Sequence, residues 1–267
     1  MSVKISVLMG IYNCADTLSE AIDSLLAQTE KDWELILCDD GSEDGTQEVA
    51  QDYQDRFPEK IVLIRNPRNM GLNHTLNRCL EQAKGRYIAR MDGDDISLPT
   101  RLEEEAVALD ANPEIAIVSC PMIYFDEAGQ WGRGQMRAFP EKQDFLRGTP
   151  FCHAPCMVRA EAFEAVGGYE VDQKLLRVED YDLWTRMYAA GFRGMNLDTP
   201  LYMMRDDRNA VKRRKFRYRI NEFYARARAV KMLKLPVWGY GLALRPILVG
   251  LLPESVYRML HRLRLGK

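Results

Sequence analysis

The chain reads as an α/β protein built on a mostly parallel central sheet flanked by helices, followed by a basic helical segment. Three observations predict this. Over the first two hundred residues, short apolar runs rich in β-formers alternate with amphipathic helical stretches, the pattern of βαβ units. Two of those runs end in acidic clusters, and in such sheets ligands collect beyond the carboxyl ends of the strands. From Arg205 onward the character changes: seventeen Lys/Arg stand against four Asp/Glu, a net of +13, whereas the preceding 204 residues carry −15.

Taken in order, Ile5–Met9 is a short apolar strand. Asp16 then precedes Leu18, Ala21, Ile22, Leu25 and Leu26, whose spacing marks one face of a helix. Trp33–Cys38 reads as a buried strand ending in Asp39-Asp40-Gly41-Ser42. Thr46–Tyr53 follows as helix, Ile61–Arg65 as strand, and Leu72–Ala83 as helix closed by Gly85. Tyr87–Met91 is a strand that runs into Asp92-Gly93-Asp94-Asp95. After Pro99 a helix is expected to about Asn112, then a strand at Ile115–Cys120, with loops and short strands through 121–150. A helix near Glu161–Val166 leads to Gly167-Gly168-Tyr169, and Glu179-Asp180 opens an amphipathic helix through Ala190 that Gly191 ends. The C-terminal segment divides into a basic helical stretch to about Lys234 and an apolar, proline-broken stretch over Leu235–Tyr257.

With 267 residues, 46% of them apolar and 28% charged, the chain has material for one large α/β domain and a tail, which excludes disordered and fibrous classes. Its six cysteines form no C-x-x-C framework, and four lie in apolar runs, which suits a reducing compartment. Cys152, His153 and Cys156 sit close together, but a zinc site wants four ligands, and His74 and His261 lie far away in sequence. Met1–Ile5 enters the first strand without a basic region, apolar core and cleavage site, so a cytoplasmic protein is expected. Gly10-Ile11-Tyr12-Asn13 offers neither the G-x-G-x-x-G of a dinucleotide-binding oxidoreductase nor the Gly-rich, arginine-containing loop of a sugar nucleotidyltransferase.

Three acidic sites carry the chemistry. Asp92, Asp94 and Asp95, three carboxylates within four residues after a buried strand, repel one another unless a cation sits between them. Mg²⁺ and Mn²⁺ prefer such oxygen donors, together with a substrate's phosphates, although a solvated acidic turn gives the same pattern. A carboxylate of Asp39-Asp40 is placed to accept hydrogen bonds from a nucleobase or ribose. Ser42 or Asp44 would equally cap the helix that begins near Thr46. Asp180, with Glu179 beside it at a helix N-terminus, is either simple complement to the helix dipole or a general base for a sugar hydroxyl. Trp184 offers a stacking face or a piece of core.

In this order the sites resemble the family-two glycosyltransferases. The resemblance runs through Val7-Leu8-Met9-Gly10-Ile11-Tyr12-Asn13, Asp39-Asp40-Gly41-Ser42 with Asp44-Gly45-Thr46, and Asn69-Met70-Gly71-Leu72 to Asn77. It continues through Gly85–Asp95, Pro99, Arg101-Leu102, His153, Gly167-Gly168-Tyr169, Glu179-Asp180, Leu183-Trp184 and Leu201-Tyr202 to Arg205, covering roughly residues 3 to 207. Gly10 stands where many members carry proline, and Asp206-Asp207 where they often carry a histidine that helps to bind metal or diphosphate.

The resemblance implies a GT-A fold over residues 1–207, with about 1–95 binding the nucleotide-sugar and 96–207 forming the acceptor side. It places Ile11, Tyr12, Asn13, Asp39, Asn69, Gly71 and Asp92 at the donor, usually a UDP-sugar, with Asp39 on the base and Tyr12 near its ring. Asp92 and Asp94 become the ligands of Mn²⁺ or Mg²⁺ and Asp180 the catalytic base. His153, Gly168, Glu179 and Trp184 fall to the acceptor side, and Asp207 to the missing histidine's role. One displacement by the acceptor hydroxyl inverts the anomeric carbon. A non-catalytic nucleotide-sugar-binding scaffold of the same fold would lack the base, and Asp180 is present.

Residues 208–267 are expected to hold the protein peripherally at the inner face of the plasma membrane. Six basic side chains (Lys212, Arg213, Arg214, Lys215, Arg217, Arg219) cluster there, and each gains about 1 kcal/mol near anionic lipid. Arg245, Pro246 and Pro253 interrupt the apolar stretch, so an interfacial helix fits better than a span. No nucleic-acid-binding motif accompanies the charge. The acceptor expected is a saccharide, on a polyprenyl diphosphate carrier of the kind used to build bacterial surface polysaccharide.

Overall fold

A computed structural model describes residues 3–206 and 216–251. Its main body is a seven-stranded sheet in the order β10-β6-β9-β4-β1-β2-β3. The elements are β1 (Ile5–Ile11), β2 (Trp33–Asp39), β3 (Ile61–Arg65), β4 (Tyr87–Arg90), β6 (Ile117–Ser119), β9 (Met157–Arg159) and β10 (Gly194–Asn196). Strands β1 to β4 are parallel, as the alternation with α1 (Ala15–Leu26), α2 (Thr46–Arg56) and α3 (Leu72–Gln82) requires, because a parallel return needs a crossover. Only β9 runs antiparallel, wedged between β4 and β6. Every residue of β2 is buried, which is why its sequence is a near-continuous apolar run rather than an alternating one.

Helices cover both faces and divide the apolar side chains into two cores. One holds Val7, Met9, Leu18, Ile22, Leu35 and Leu102; the other holds Leu8, Ile36, Leu76, Val158, Trp184 and Tyr188. Consecutive β1 residues thus serve opposite faces, as the pleat dictates. The helices α4 (Arg101–Ala111), α5 (Ala160–Val166) and α6 (Glu179–Ala189) match their expected spans to within two residues.

Residues 121–150 hold the short strands and loops expected of them, and the strands have a use the sequence does not show. The hairpin of β7 (Met122–Asp126) and β8 (Gly129–Arg133) joins β11 (Tyr202–Arg205) and β5 (Ile96–Ser97) in a second, four-stranded sheet. This sheet clamps the acidic loop, because β5 starts right after Asp95 and β11 pairs with it.

The C-terminal segment forms α7 (Phe216–Met232), α8 (Gly239–Ala243) and α9 (Arg245–Gly250). The first of these does not stand apart from residues 1–207. Ala225, Ala229 and Leu233 are buried in the second core, and Arg228 pairs with Glu170 at 2.6 Å and with buried Asp182 of α6 at 3.0 Å. Part of the segment's positive charge is therefore spent inside the fold. Among the described residues no helix is long and apolar enough to cross a membrane.

Candidate active site

Strands β1, β2 and β4 end at one edge, with Ile11 level with Asp39 and Leu8 level with Arg90. That edge gathers the donor-side residues the sequence singled out. Asn13, with a positive φ of 47°, donates its N–H to Ser42 Oγ at 3.0 Å, and its side-chain oxygen accepts from the Glu43 N–H at 2.9 Å. Ile11 contributes backbone, its carbonyl accepting the Asp40 N–H at 2.9 Å, while its side chain is buried. Tyr12 stays exposed on the rim.

The paired aspartates divide their work differently from expectation. Asp39 is fully buried: it accepts the Ser42 N–H at 2.9 Å and pairs with the Arg65 guanidinium at 3.1 Å, so it faces protein rather than open cavity. Asp40 lines the cavity instead, beside Tyr12, Asn69 and Gly71. It accepts the N–H groups of Met70 and Gly71, at 2.8 and 2.9 Å, and the Asn66 amide at 2.7 Å, which fixes the 66–71 loop. Gly41 lets the two segments meet, since its φ is +74° and a Cβ there would fall 2.7 Å from the Arg68 backbone. Sequence pattern alone does not separate adjacent aspartates; strand alternation does, once the strand's last residue is known.

At the end of β4, carboxylate oxygens of Asp92, Asp94 and Asp95 lie within 4.8 Å of one another. Burial, and then the charge of Asp92, raise the Asp94 carboxyl above its usual range. Burial with both neighbouring charges pushes Asp95 up to about 8. Asp95 Oδ1 accepts the Arg205 N–H at 2.8 Å, whereas its Oδ2 is buried with no hydrogen-bond partner. An all-oxygen set with an orphaned buried oxygen and mutually repelling charges fits a hard divalent cation. Asp92 is further held by the Tyr202 hydroxyl, which accepts its N–H at 3.1 Å, and by an ion pair with Arg90.

Asp180 enters from the other side, in the first turn of α6. Burial, reinforced by Glu179, lifts its carboxyl up to about 6, so it is ionised at neutral pH yet remains a useful proton acceptor. Asp180 and Asp94 line one cavity of about 680 Å³, together with Thr149, Arg177, Arg205 and α7 residues. A second cavity of about 410 Å³ holds Ile11, Tyr12, Asn13, Asp92 and Asp94, and a third of about 260 Å³ holds Tyr12, Asn69, Gly71 and Glu179. The three adjoin through shared lining residues: Asp94 and Arg205 between the first two, Tyr12 between the second and third, and Arg177 and Tyr218 between the first and third.

The other acceptor-side expectations fare unevenly. Trp184 is fully buried, edge-on to Phe151 and His153, so it is core and presents no stacking face. His153 hydrogen-bonds the Tyr169 hydroxyl at 2.8 Å, and burial together with nearby Arg90 holds its ring well below the usual histidine range, hence neutral. Gly168 has φ +74° and would place a Cβ 2.7 Å from Asn77 Oδ1, which makes it a packing residue between α3 and α5. Asp207 lies outside the described residues. Arg90, Tyr202 and Arg205 were not read as site residues from sequence. All three lie within the motifs that carry the resemblance, and Arg90 also stands out as a charge inside an otherwise apolar strand.

Fold and site together define an α/β protein whose strand ends carry a cation-fit carboxylate loop facing a proton-accepting carboxylate. The model described as "Glycosyl transferase family 2" matches residues 6–167, and the chain belongs to that family. EpsE of Bacillus subtilis (strain 168), named as a glycosyltransferase, is 43% identical over 261 residues, spanning 98% of this chain and 94% of its own. WfaP of Escherichia coli is 27% identical over 218 residues, 82% of this chain and 83% of its own. Its name is UDP-Glc:alpha-D-GlcNAc-diphosphoundecaprenol beta-1,3-glucosyltransferase. The solved structure of S. aureus TarS 1-349 in complex with UDP-GlcNAc superposes with a TM-score of 0.69 at 17% identity, over 98% of this chain and 87% of that one. The mannosyltransferase PcManGT from Pyrobaculum calidifontis, in complex with GDP-Man and Mn2+, gives 0.68 at 19% identity, over 98% and 79%. These likenesses bear out the GT-A-type architecture expected from the sequence.

Proposed function

We propose that the protein transfers a sugar from a nucleoside-diphosphate donor, UDP-linked, to a hydroxyl of a saccharide carried on a lipid diphosphate, with inversion at the anomeric carbon. The reaction would serve bacterial surface polysaccharide synthesis. The observation that carries this reading is the shared cavity of about 680 Å³, in which Asp180 and Asp94 stand on opposite elements. WfaP, by its name, performs a reaction of this type on a lipid-diphosphate acceptor.

In this reading Tyr12, Asn69 and Gly71 receive the nucleoside, with Asp40 fixing the loop beneath it and Ile11 and Asn13 shaping the strand end. Asp92 and Asp94 hold Mn²⁺ or Mg²⁺, with Asp95 and Arg205 fixing their loop. A cation bound there supplies Lewis-acid stabilisation of the charge that develops on the departing diphosphate. Asp180 takes the proton of the acceptor hydroxyl as its oxygen bonds to the anomeric carbon. The bond to the diphosphate breaks on the opposite face, so one displacement inverts the centre and no covalent sugar–enzyme step is needed. Asp180 is well matched, because a base that titrates near 6 combines full ionisation at neutral pH with useful basicity.

The site would work at the inner face of the plasma membrane. Val237, Trp238, Tyr240, Leu242, Leu244, Leu248 and Leu251 are exposed on a short stretch that also carries Arg245, the composition of an interfacial surface. A screen of nucleotide-sugars with purified lipid-diphosphate acceptor, read by mass spectrometry and by the anomeric proton coupling of the product, tests the reaction. Retention of configuration, or donor hydrolysis with no transfer to any saccharide, would overturn it.

A further inference from the structure

We propose that Arg177 is the cation of an anion subsite that takes the diphosphate joining the acceptor saccharide to its lipid, an assignment that rests on the acceptor class proposed above. Arg177 lies in the turn between the short 3₁₀ segment Gln173–Leu175 and α6, three residues before Asp180. Its backbone is left-handed, with a φ of 70°. Glycine or asparagine adopts that conformation at less cost, and bulky residues held in it concentrate at functional sites.

The surroundings leave the turn no freedom. Leu175 and Val178, on either side, are buried in the second core. Asp172 caps the 3₁₀ segment through the Lys174 N–H at 2.9 Å. The Asn221 amide of α7 donates to the carbonyls of Gln173 and Leu176, at 3.2 and 3.1 Å. Held in this way, the Arg177 side chain is exposed and lines the cavity that contains Asp180 and Asp94. The other arginines of that lining have acidic partners: Arg205 has Glu20, Arg226 has Glu222 at 2.9 Å, and Arg219 has Glu222 at 3.4 Å. Among the described residues Arg177 has neither an ion pair nor a hydrogen bond.

A guanidinium without a carboxylate, carried on a backbone turn that is itself held in place at the edge of a cavity, suits a bidentate phosphate contact. The acceptor is favoured over the donor as its source. Arg177 also edges the cavity of about 260 Å³ beside Tyr12, Asn69 and Gly71, but it does not line the one of about 410 Å³ where Asp92 and Asp94, the proposed holders of the donor diphosphate, face the nucleotide loop. It does line the one where Asp180 must meet the acceptor hydroxyl. An acceptor sugar seated at Asp180 brings its linked phosphates within reach of a side chain three residues away.

The test uses Arg177→Gly and Arg177→Lys in the full chain, with calorimetric titration of hexyl diphosphate, hexyl glucoside and UDP with Mn²⁺, and thermal unfolding alongside. Arg177→Gly relieves the backbone, so its melting temperature is expected to equal or exceed that of the wild type. Its affinity for hexyl diphosphate should fall at least about tenfold, with UDP binding changed less than about twofold and Arg177→Lys intermediate. Unchanged hexyl diphosphate affinity in Arg177→Gly, or no binding of it by the wild type, would overturn the subsite. An equal fall for UDP would assign the arginine to the donor, and an equal fall for hexyl glucoside would make the effect structural; either overturns the proposal. Wild-type transfer to a lipid-diphosphate acceptor, measured in parallel, separates failure of the subsite from failure of the acceptor class.

Discussion

Replacing Asp180 by asparagine should cost activity and increase stability, and the two effects have one cause. The carboxyl is raised from an ordinary 3.8 to about 6, chiefly by burial and then by Glu179. At pH 7 the folded protein therefore holds an anion in a place that favours the acid. A shift of roughly two units corresponds to about 3 kcal/mol, an upper bound for a group that keeps some solvent contact. The sign follows from linkage: the folded state binds the proton more tightly than the unfolded chain. The penalty is thus absent below the unfolded value near 4, grows as pH rises, and is complete above about 6. Asparagine carries no charge at any pH, so Asp180→Asn should melt a few degrees higher than wild type at pH 7, with the gap closing toward pH 4. Turnover should fall on the order of 10²-fold or more, because the amide cannot accept the proton. Wild-type kcat/KM should decline below an apparent pKa near 6. Nucleotide affinity should be nearly unchanged. Differential scanning calorimetry across pH and a transfer assay read the two effects separately. Wild-type turnover in the variant, or a melting difference that does not change with pH, would refute the reasoning.

Asp94→Ala should abolish turnover and weaken metal-dependent UDP binding, since it removes one of three converging carboxylates; full activity in excess EDTA would contradict the cation assignment. Trp184→Ala should destabilise the fold by about 3–5 kcal/mol, read from the urea midpoint, because the indole is fully buried. An equal midpoint with weaker acceptor binding would instead mark it as a ligand platform. Removing residues 236–267 should weaken flotation with anionic liposomes and leave its remainder salt-sensitive, because the basic cluster at 212–219 stays, while leaving a folded domain. Removing 208–267 should unfold it, because Ala225, Ala229 and Leu233 belong to the second core. Circular dichroism melts of the two truncations check this.

Much of the donor half was legible because its signals are local. Each β1–α3 element carries its own period: Leu18, Ala21, Ile22 and Leu25 fall on one face of α1, and all four are buried. The acidic loop after β4 announced itself by charge density at a strand end. Less was legible where pairing partners are distant in sequence. Strand β9 is three residues long, too short to show a period, and exists because β4 and β6 leave a gap between them. The same holds for β11, which joins a sheet made from residues 96–97 and 122–133. Trp184 illustrates the converse: a tryptophan four residues from a catalytic candidate reads either as a sugar platform or as core until α6 is seen to turn that face inward.

The division of the chain follows from where the cavity walls come from. The family match ends at residue 167, whereas the cavity that holds Asp180 is lined by residues 177–181, 204–206 and 218–226, with only Asp94 and Thr149 drawn from the matched region. On the proposed reading the donor side is built from the βαβ units of the matched region. The acceptor side is assembled late, from α6, β11 and α7, held together by pairs such as Arg228 with Asp182. The helix α7, whose charge suggests a membrane tail, is therefore a wall of the cavity that holds Asp180. Its exposed continuation adjoins that wall, since α9 packs its Gly250 against Phe216 and Arg219 of α7.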